Sequence, residues 1–120
     1  MSDRPRSVDA VLPLKPRILH ILLALADGPR HGYSIMQEVA ERTDGQVRVW
    51  PAAMYGTLRE LEEVDWIEES ETRPSEDDER RRYFALTPLG KRVLSAEVRR
   101  LEEIVHHARA SRALRKPGRV

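Results

Sequence analysis

The side chains best suited to binding chemistry are basic, and they are clustered along the chain. Arg80, Arg81 and Arg82 are consecutive. Other basic residues gather toward the two ends of the chain, at Arg4, Arg6, Lys15, Arg17, Arg109, Arg112, Arg115, Lys116 and Arg119. A guanidinium group donates hydrogen bonds to phosphate oxygens in a fixed forked geometry. The clusters therefore favour an anionic partner, whereas the alternative for 80–82 is a solvated run neutralised by the acids at 76–79.

Residue types that perform catalysis are few and dispersed. The chain has no cysteine, which excludes thiol nucleophiles, disulfides and cysteine-based zinc sites. Two of the four histidines stand alone, and the adjacent His106 and His107 point to different sides of a helix. Either of these could join Glu102 or Glu103 in a metal site across a dimer, but a solvated helix surface is the simpler interpretation. We expect no enzyme, and no catalytic residue, metal or cofactor.

Composition favours one charged, helix-rich domain. The chain has 120 residues, of which 40% are hydrophobic and 34% charged, and its net charge is +1. This length suits a single core. No apolar run approaches the roughly 20 residues that cross a bilayer, and the charged residues 1–6 are followed by no signal-like segment. These features predict a cytoplasmic protein without a membrane anchor.

Hydrophobic spacing predicts three helices in the first half of the chain. We expect residues 1–14 to form an arm without fixed structure, before a first helix that begins at Pro16 and ends near Gly28. A second helix follows His31 and Gly32 and stops near Asp44. The third begins at Pro51, with four apolar residues facing inward, Met54, Leu58, Leu61 and Val64.

The pattern then changes to two short strands and a final helix. Trp66–Glu71 and Arg82–Thr87 predict a hairpin around a polar loop. Three helices followed by a hairpin is the order of a winged helix-turn-helix, here over residues 15–88. Such a domain places one helix in the major groove of DNA and the hairpin beside it. The predicted fold class is mainly α (α+β).

The last helix, expected over 89–116 before a short tail at 117–120, carries an apolar seam. Its members repeat at spacings of four and three, at Leu94, Val98, Leu101, Val105 and Ala108. The seam predicts a dimerisation helix that packs beside the first helix of a second copy. Folding back onto its own core is the alternative.

Three segments resemble signatures of the PadR family, in the family's order. They are His31–Ile35 (HGYSI), Met54–Glu62 (MYGTLRELE) and Arg82–Gly90 (RYFALTPLG). The resemblance covers roughly residues 16–105 and is closest to the smaller subfamily. It implies a dimeric, usually repressing transcription factor that binds double-stranded promoter DNA, with a small-molecule effector as a further candidate partner.

The resemblance also implies a set of DNA-binding residues. On the second and third helices these are Tyr33, Ala52, Tyr55, Gly56, Thr57 and Arg59, and on the wing they are Arg80, Arg81 and Arg82. Phenolic hydroxyls and guanidinium groups can donate to phosphates or bases. For the two tyrosines, a half-buried place in the core is an equal alternative.

Two positions depart from the family pattern, and two tryptophans have structural interpretations. Asp65 replaces a glycine at the end of the third helix, and Ala53 replaces a hydroxyl residue, which removes one contact to DNA. We expect Trp50 to clamp the entry to the third helix, and Trp66 to fill the core beneath the wing.

A protein-interaction module that does not bind DNA is the rival function. The low net charge and the acidic second half of the third helix, with Glu60, Glu62 and Glu63, support it. Salt separates the two functions, because binding to DNA releases counterions and weakens steeply as salt rises.

Overall fold

The computed structural model describes residues 8–72 and 81–115. Four helices carry most of the chain: α1 (Pro16–Ala24), α2 (Gly32–Arg42), α3 (Pro51–Glu63) and α4 (Pro88–Ala110). Two short 3-10 helices, Val8–Val11 and Arg112–Leu114, lie before and after them. Arg80, the acids at 76–79 and the tail at 117–120 lie outside the described residues.

A small antiparallel sheet joins the helices. Its strands are β1 (Arg30–His31), β2 (Ile67–Ser70) and β3 (Tyr83–Leu86), in the order β1-β3-β2. The β2–β3 pair is the predicted hairpin, with Ile67 opposite Leu86. The two-residue strand β1 was not predicted, and it places His31 opposite Tyr83. The sheet therefore fixes the start of α2 against the wing.

One core lies beneath all of these elements. Each of the helices α1 to α4 contributes fully buried side chains to it, among them Ile21, Leu22, Ile35, Met54, Leu58 and Val93. Trp66 is partly buried and packs against this core, as predicted. The inward stripe of α3 ends at Leu61, because the helix stops at Glu63 and Val64 is half exposed. The prediction that Val64 faces inward was wrong.

The junction between α3, β2 and α4 is tightly packed. Thr87 caps α4 by accepting a hydrogen bond from the Gly90 amide at 2.9 Å, and its hydroxyl donates to the carbonyl oxygen of Asp65. A Cβ on Gly90 would lie 2.0 Å from the carbonyl oxygen of Trp66. Only glycine permits this approach, so the first turn of α4 is held directly against the backbone that joins α3 to β2.

Residues 8–14 pack against α4, in contrast to the structureless arm predicted for 1–14. The Leu14 amide donates to Oε2 of Glu97 at 3.1 Å, and Val8 and Leu14 pack against the core. Local sequence could not reveal this docking, because Glu97 is 83 positions away. Residues 1–7 lie outside the described part of the chain.

Glu97 is a buried carboxylate that joins this segment to α4. It accepts from Nε and Nη2 of Arg100 at 2.7 and 2.9 Å. The hydrogen bonds from Arg100, together with the amide of Leu14, lower the pKa of Glu97 below its ordinary value of 4.5, against the opposing effect of burial. The carboxylate is therefore held in its charged form.

Candidate nucleic-acid interface

The outer face of α3 is open to solvent. Ala52, Tyr55, Gly56 and Arg59 are exposed, while Met54 and Leu58 anchor the opposite face in the core. Trp50 precedes the helix in an extended conformation and its side chain makes no capping hydrogen bond. The first turn therefore presents a partial positive charge toward solvent, which favours an anion.

Thr57 does not belong to this face. Its side chain is only 3% exposed, because it follows Met54 by three residues and shares that residue's buried stripe. The structure thus removes Thr57 from the surface on which the sequence placed it.

Tyr33 and Tyr55 are both surface residues. They are 56% and 54% exposed, so the alternative of half-buried core aromatics does not describe them. The ring of Tyr55 leans over the first residue of α2: a Cβ on Gly32 would lie 3.2 Å from both Cε1 and the hydroxyl oxygen. Because Gly32 has no side chain, the Tyr55 ring of α3 can lie across the start of α2.

His31 connects α2 to the wing. Its Nδ1 accepts a hydrogen bond from the Ser34 amide at 3.1 Å, which caps α2. Its Nε2 lies 2.8 Å from Nη1 of Arg81, and its ring meets Tyr83 edge-on at 5.3 Å. The cap thus also positions an arginine of the wing.

His31 and Arg81 lie close enough together to act on one ligand. The Nδ1 atom of His31 accepts from the Ser34 amide, and its Nε2 lies 2.8 Å from Nη1 of Arg81. A guanidinium carries several N–H donors, so Arg81 can contact His31 and also donate to a phosphate oxygen.

The two described arginines of the wing differ in their surroundings. The Arg82 guanidinium forms ion pairs with Glu62 and Glu69, each at 3.1 Å, and lies 4.9 Å from the centre of the Phe84 ring. These contacts join the wing to α3 and β2. Arg81 is exposed, and its Nη1 lies 2.8 Å from Nε2 of His31, so it extends along the edge of the sheet toward α2.

These side chains line a common groove of about 330 Å³. Its walls come from the start of α2, the outer face of α3 and strand β3, through His31, Gly32, Tyr33, Tyr55, Arg81, Arg82 and Phe84. Phenolic, imidazole and guanidinium groups meet there. The groove can thus bind phosphate through charge and hydrogen bonds while the exposed face of α3 lies beside it.

The two adjacent histidines considered as metal ligands lie on α4, away from the groove. His106 and His107 are exposed on α4, with ring centres 5.6 Å apart, and no group of three or more potential metal ligands occurs within 8–72 and 81–115. No helix in the described part of the chain is long and apolar enough to cross a membrane.

Comparison with known proteins identifies the family. The model of the transcriptional regulator PadR-like family matches residues 19–96. The chain belongs to this family. Its PadR-like region contains the groove and all three segments whose resemblance was noted from sequence, and the family consists of transcriptional regulators rather than enzymes.

Individual proteins are also similar to this chain. An uncharacterised 37.1 kDa protein of a transposon from Streptomyces fradiae is 42% identical over 77 residues, 64% of this chain and 20% of that longer protein. Transcriptional regulator Rv3488 of Mycobacterium tuberculosis is 38% identical over 86 residues, 72% of this chain and 76% of that protein. A crystal structure of a PadR family transcription regulator from Clostridium difficile shares the winged-helix fold, with a TM-score of 0.66 at 24% identity, over 78% of this chain and 94% of that one.

Proposed function

We propose that this PadR-like regulator binds a palindromic promoter operator as a homodimer and acts as a repressor in the cytoplasm, where an effector releases it. The groove that brings Tyr33, Tyr55 and Arg81 together beside the open face of α3 carries the proposal. In this arrangement α3 enters the major groove, where each base pair presents a distinct pattern of donors and acceptors. Arg81 and His31 bind a phosphate of the adjacent backbone.

The remaining residues of the proposed interface have different roles. Arg59 is exposed on α3 and reaches a guanine or a phosphate, while Ala52 and Gly56 allow the helix to approach the bases closely. Arg82 positions the wing through its two carboxylate partners. Arg80 remains part of the proposed wing contact, on the sequence argument alone.

An apolar strip on α4 supports the homodimer. Val98, Leu101 and Val105 line a shallow, open apolar groove with a volume of about 390 Å³, and the neighbouring Ile104 is half exposed. Leu94, predicted as part of the dimer seam, is buried in this chain's own core instead, because the start of α4 packs on β3 and α1. The proposed seam therefore begins at Val98 and continues through Ala108.

Dimerisation gives the operator its symmetry. Two recognition helices related by a two-fold axis read half-sites about 34–36 Å apart, one turn of DNA. An effector bound between the α4 helices would change this separation and so release the DNA. A ligand that leaves the separation unchanged contradicts this mechanism.

The test starts from duplexes selected out of a random-sequence library. Binding of the tightest duplex is measured by fluorescence anisotropy for the native protein, Arg59→Ala, Arg81→Ala and Arg99→Ala. Arg99 is exposed on α4, away from the groove, and serves as the matched control. We expect the first two variants to bind roughly tenfold more weakly and the control to bind like the native protein. Equal binding by all four proteins contradicts the proposed interface.

A protein-interaction module remains the second candidate. Glu60, Glu62 and Glu63 make the second half of α3 acidic, and Glu62 is paired with Arg82. If duplex binding shows no preferred sequence and vanishes near physiological salt, this second function replaces the first.

A further inference from the structure

A second groove of about 300 Å³ lies on the other side of Tyr33. Residues of α2 form its floor and the segment that leads into α3 forms its wall. Its lining consists of Tyr33, Met36, Gln37, Ala40, Arg48, Val49, Trp50 and Pro51. Of these residues only Tyr33 belongs to the three PadR-like segments and to the first groove.

Trp50 is the feature of this groove that internal packing does not explain. Its side chain is 68% exposed, the largest value among the exposed large hydrophobic residues of the described chain. The prediction that Trp50 clamps the entry to α3 was therefore wrong. Its indole offers a broad apolar face and one N–H donor to whatever lies in the groove.

Arg48 gives the same groove a positive charge. Its guanidinium lies beside the turn after α2, where a Cβ on Gly45 would be 3.2 Å from Nη2. Gly45 has a φ of +79°, a conformation that side chains disfavour, so glycine serves both the turn and the space for the arginine. The turn thus holds a cation at the edge of the groove, near Trp50.

The two grooves adjoin at Tyr33, which lines both of them. The surface between α2 and Trp50 therefore lies next to the groove that is proposed to bind DNA. That surface offers a group for each part of a nucleotide. Its cation can bind the phosphate, and its apolar side chains can pack against the deoxyribose and the face of the base.

We propose that the second groove binds the backbone of the operator beyond the part held by the wing. In this arrangement Arg48 pairs with a phosphate, Gln37 donates its side-chain amide to a phosphate oxygen, and Trp50 packs against the adjoining deoxyribose or base. The inference rests on the proposed function and adds to it a contact that lengthens the DNA site.

The first experiment measures how accessible Trp50 is to acrylamide, a neutral quencher of tryptophan fluorescence. The chain has two tryptophans, so the Trp50→Phe variant retains only the partly buried Trp66. The probe is the tightest duplex selected from the random library, added to saturation. We expect DNA to lower the quenching constant of the native protein severalfold and to leave that of Trp50→Phe unchanged. If the quenching constant of the native protein is the same with and without DNA, the proposal is wrong.

The second experiment measures affinity for the same duplex. We expect Trp50→Ala and Arg48→Ala each to bind about tenfold more weakly, and Arg48→Ala also to lower the log–log salt slope by about 1. Val64→Ala and Arg99→Ala are matched controls, since both residues are exposed and neither lines the groove. Trp50→Phe keeps an aromatic ring and should retain most of the affinity, which guards against a loss that merely reflects misfolding.

The outcomes separate this inference from the proposed function. If Arg81→Ala weakens binding while Trp50→Ala and Arg48→Ala bind like the native protein, the second groove does not contact DNA and the proposed function stands. If the native protein binds no duplex in a salt-sensitive manner, both are wrong.

Discussion

The hydroxyl oxygen of Tyr55 lies 3.2 Å from the position that a Cβ would occupy on Gly32. This contact joins the outer face of α3 to the first residue of α2, and it sets the direction of a ring that lines the proposed DNA groove. Gly32 therefore positions Tyr55 through the absence of its own side chain.

The substitution Gly32→Ala tests this relationship. We expect the new methyl group to push the Tyr55 ring aside by a few tenths of an ångström, which weakens duplex binding severalfold and costs less than about 1 kcal/mol of stability. In a Tyr55→Ala background the same substitution should have no further effect on binding. Additive losses in the double variant, measured by anisotropy, contradict the positioning role.

Replacing Gly90 or Gly56 by alanine should change the unfolding free energy in opposite directions. Gly90→Ala places its Cβ against the Trp66 carbonyl, so we expect a loss of about 3 kcal/mol of unfolding free energy. Gly56→Ala meets nothing within 4 Å on an exposed helix face, so we expect a gain of about 0.5–1 kcal/mol. Urea denaturation of both variants checks the pair, and equal effects contradict the packing described at the α3–α4 junction.

Asp65 follows α3 with a φ of 66°, in the left-handed region. Glycine adopts this conformation without penalty, whereas other residues cost roughly 1–2 kcal/mol and aspartate is among the better tolerated. We expect Asp65→Gly to raise the unfolding free energy by about 0.5 kcal/mol and Asp65→Ala to lower it. A different order of stability in urea denaturation contradicts the assigned backbone strain.

Glu97 predicts a loss of stability in acid. The pKa of this carboxyl is lowered in the folded protein by Arg100 and Leu14, so its contribution is fully present above the unfolded value of 4.5. It is lost as the pH falls through the lower, folded value. Glu97→Gln should be less stable at pH 7 and show a weaker loss of stability as the pH falls below the unfolded value of 4.5.

The matched control for this prediction is Glu103→Gln, on an exposed residue of the same helix. We expect it to retain the acid sensitivity of the native protein in denaturation experiments. If Glu97→Gln and the native protein lose stability in parallel as the pH falls, the charged hydrogen bonds of Glu97 do not stabilise the fold.

Val105 and Val64 allow a controlled test of the proposed dimer. Their side chains are 48% and 50% exposed, but only Val105 lies on the apolar strip of α4. We expect Val105→Glu to shift the protein to a monomer in sedimentation velocity, because an unpaired charge in an apolar interface is costly. Val64→Glu should remain dimeric. A native protein that is already monomeric contradicts the homodimer.

Periodicity predicted the elements well, because burial repeats at the spacing of each structure. The stripe through Met54, Leu58 and Leu61 defined α3, and the hairpin appeared in the predicted place. Strand β1 escaped prediction, since two residues carry no alternation. On α4, Leu94 and Val98 belong to the same apolar repeat, but Leu94 is buried in the core and Val98 is exposed. The spacing of the repeat could not distinguish the two.

The composition of the site was harder to predict than its location. Residue type suggested a tyrosine, threonine and arginine face, but Thr57 shares the helical spacing of Met54 and is buried with it. Trp50 is apolar and precedes a proline, and neither property determines whether its ring faces inward or outward. The contact between His31 and Arg81 spans 50 positions, so only the pairing of β1 with β3 reveals it.

The most direct test of the central claim is the salt dependence of duplex binding by the native protein and Arg81→Ala. The account predicts tight binding of a two-fold symmetric duplex, with a binding constant that falls linearly against salt on logarithmic axes. Loss of Arg81 should lower the affinity and reduce that slope by about 1. Binding that is indifferent to salt, or a slope that Arg81→Ala leaves unchanged, contradicts DNA recognition through this face.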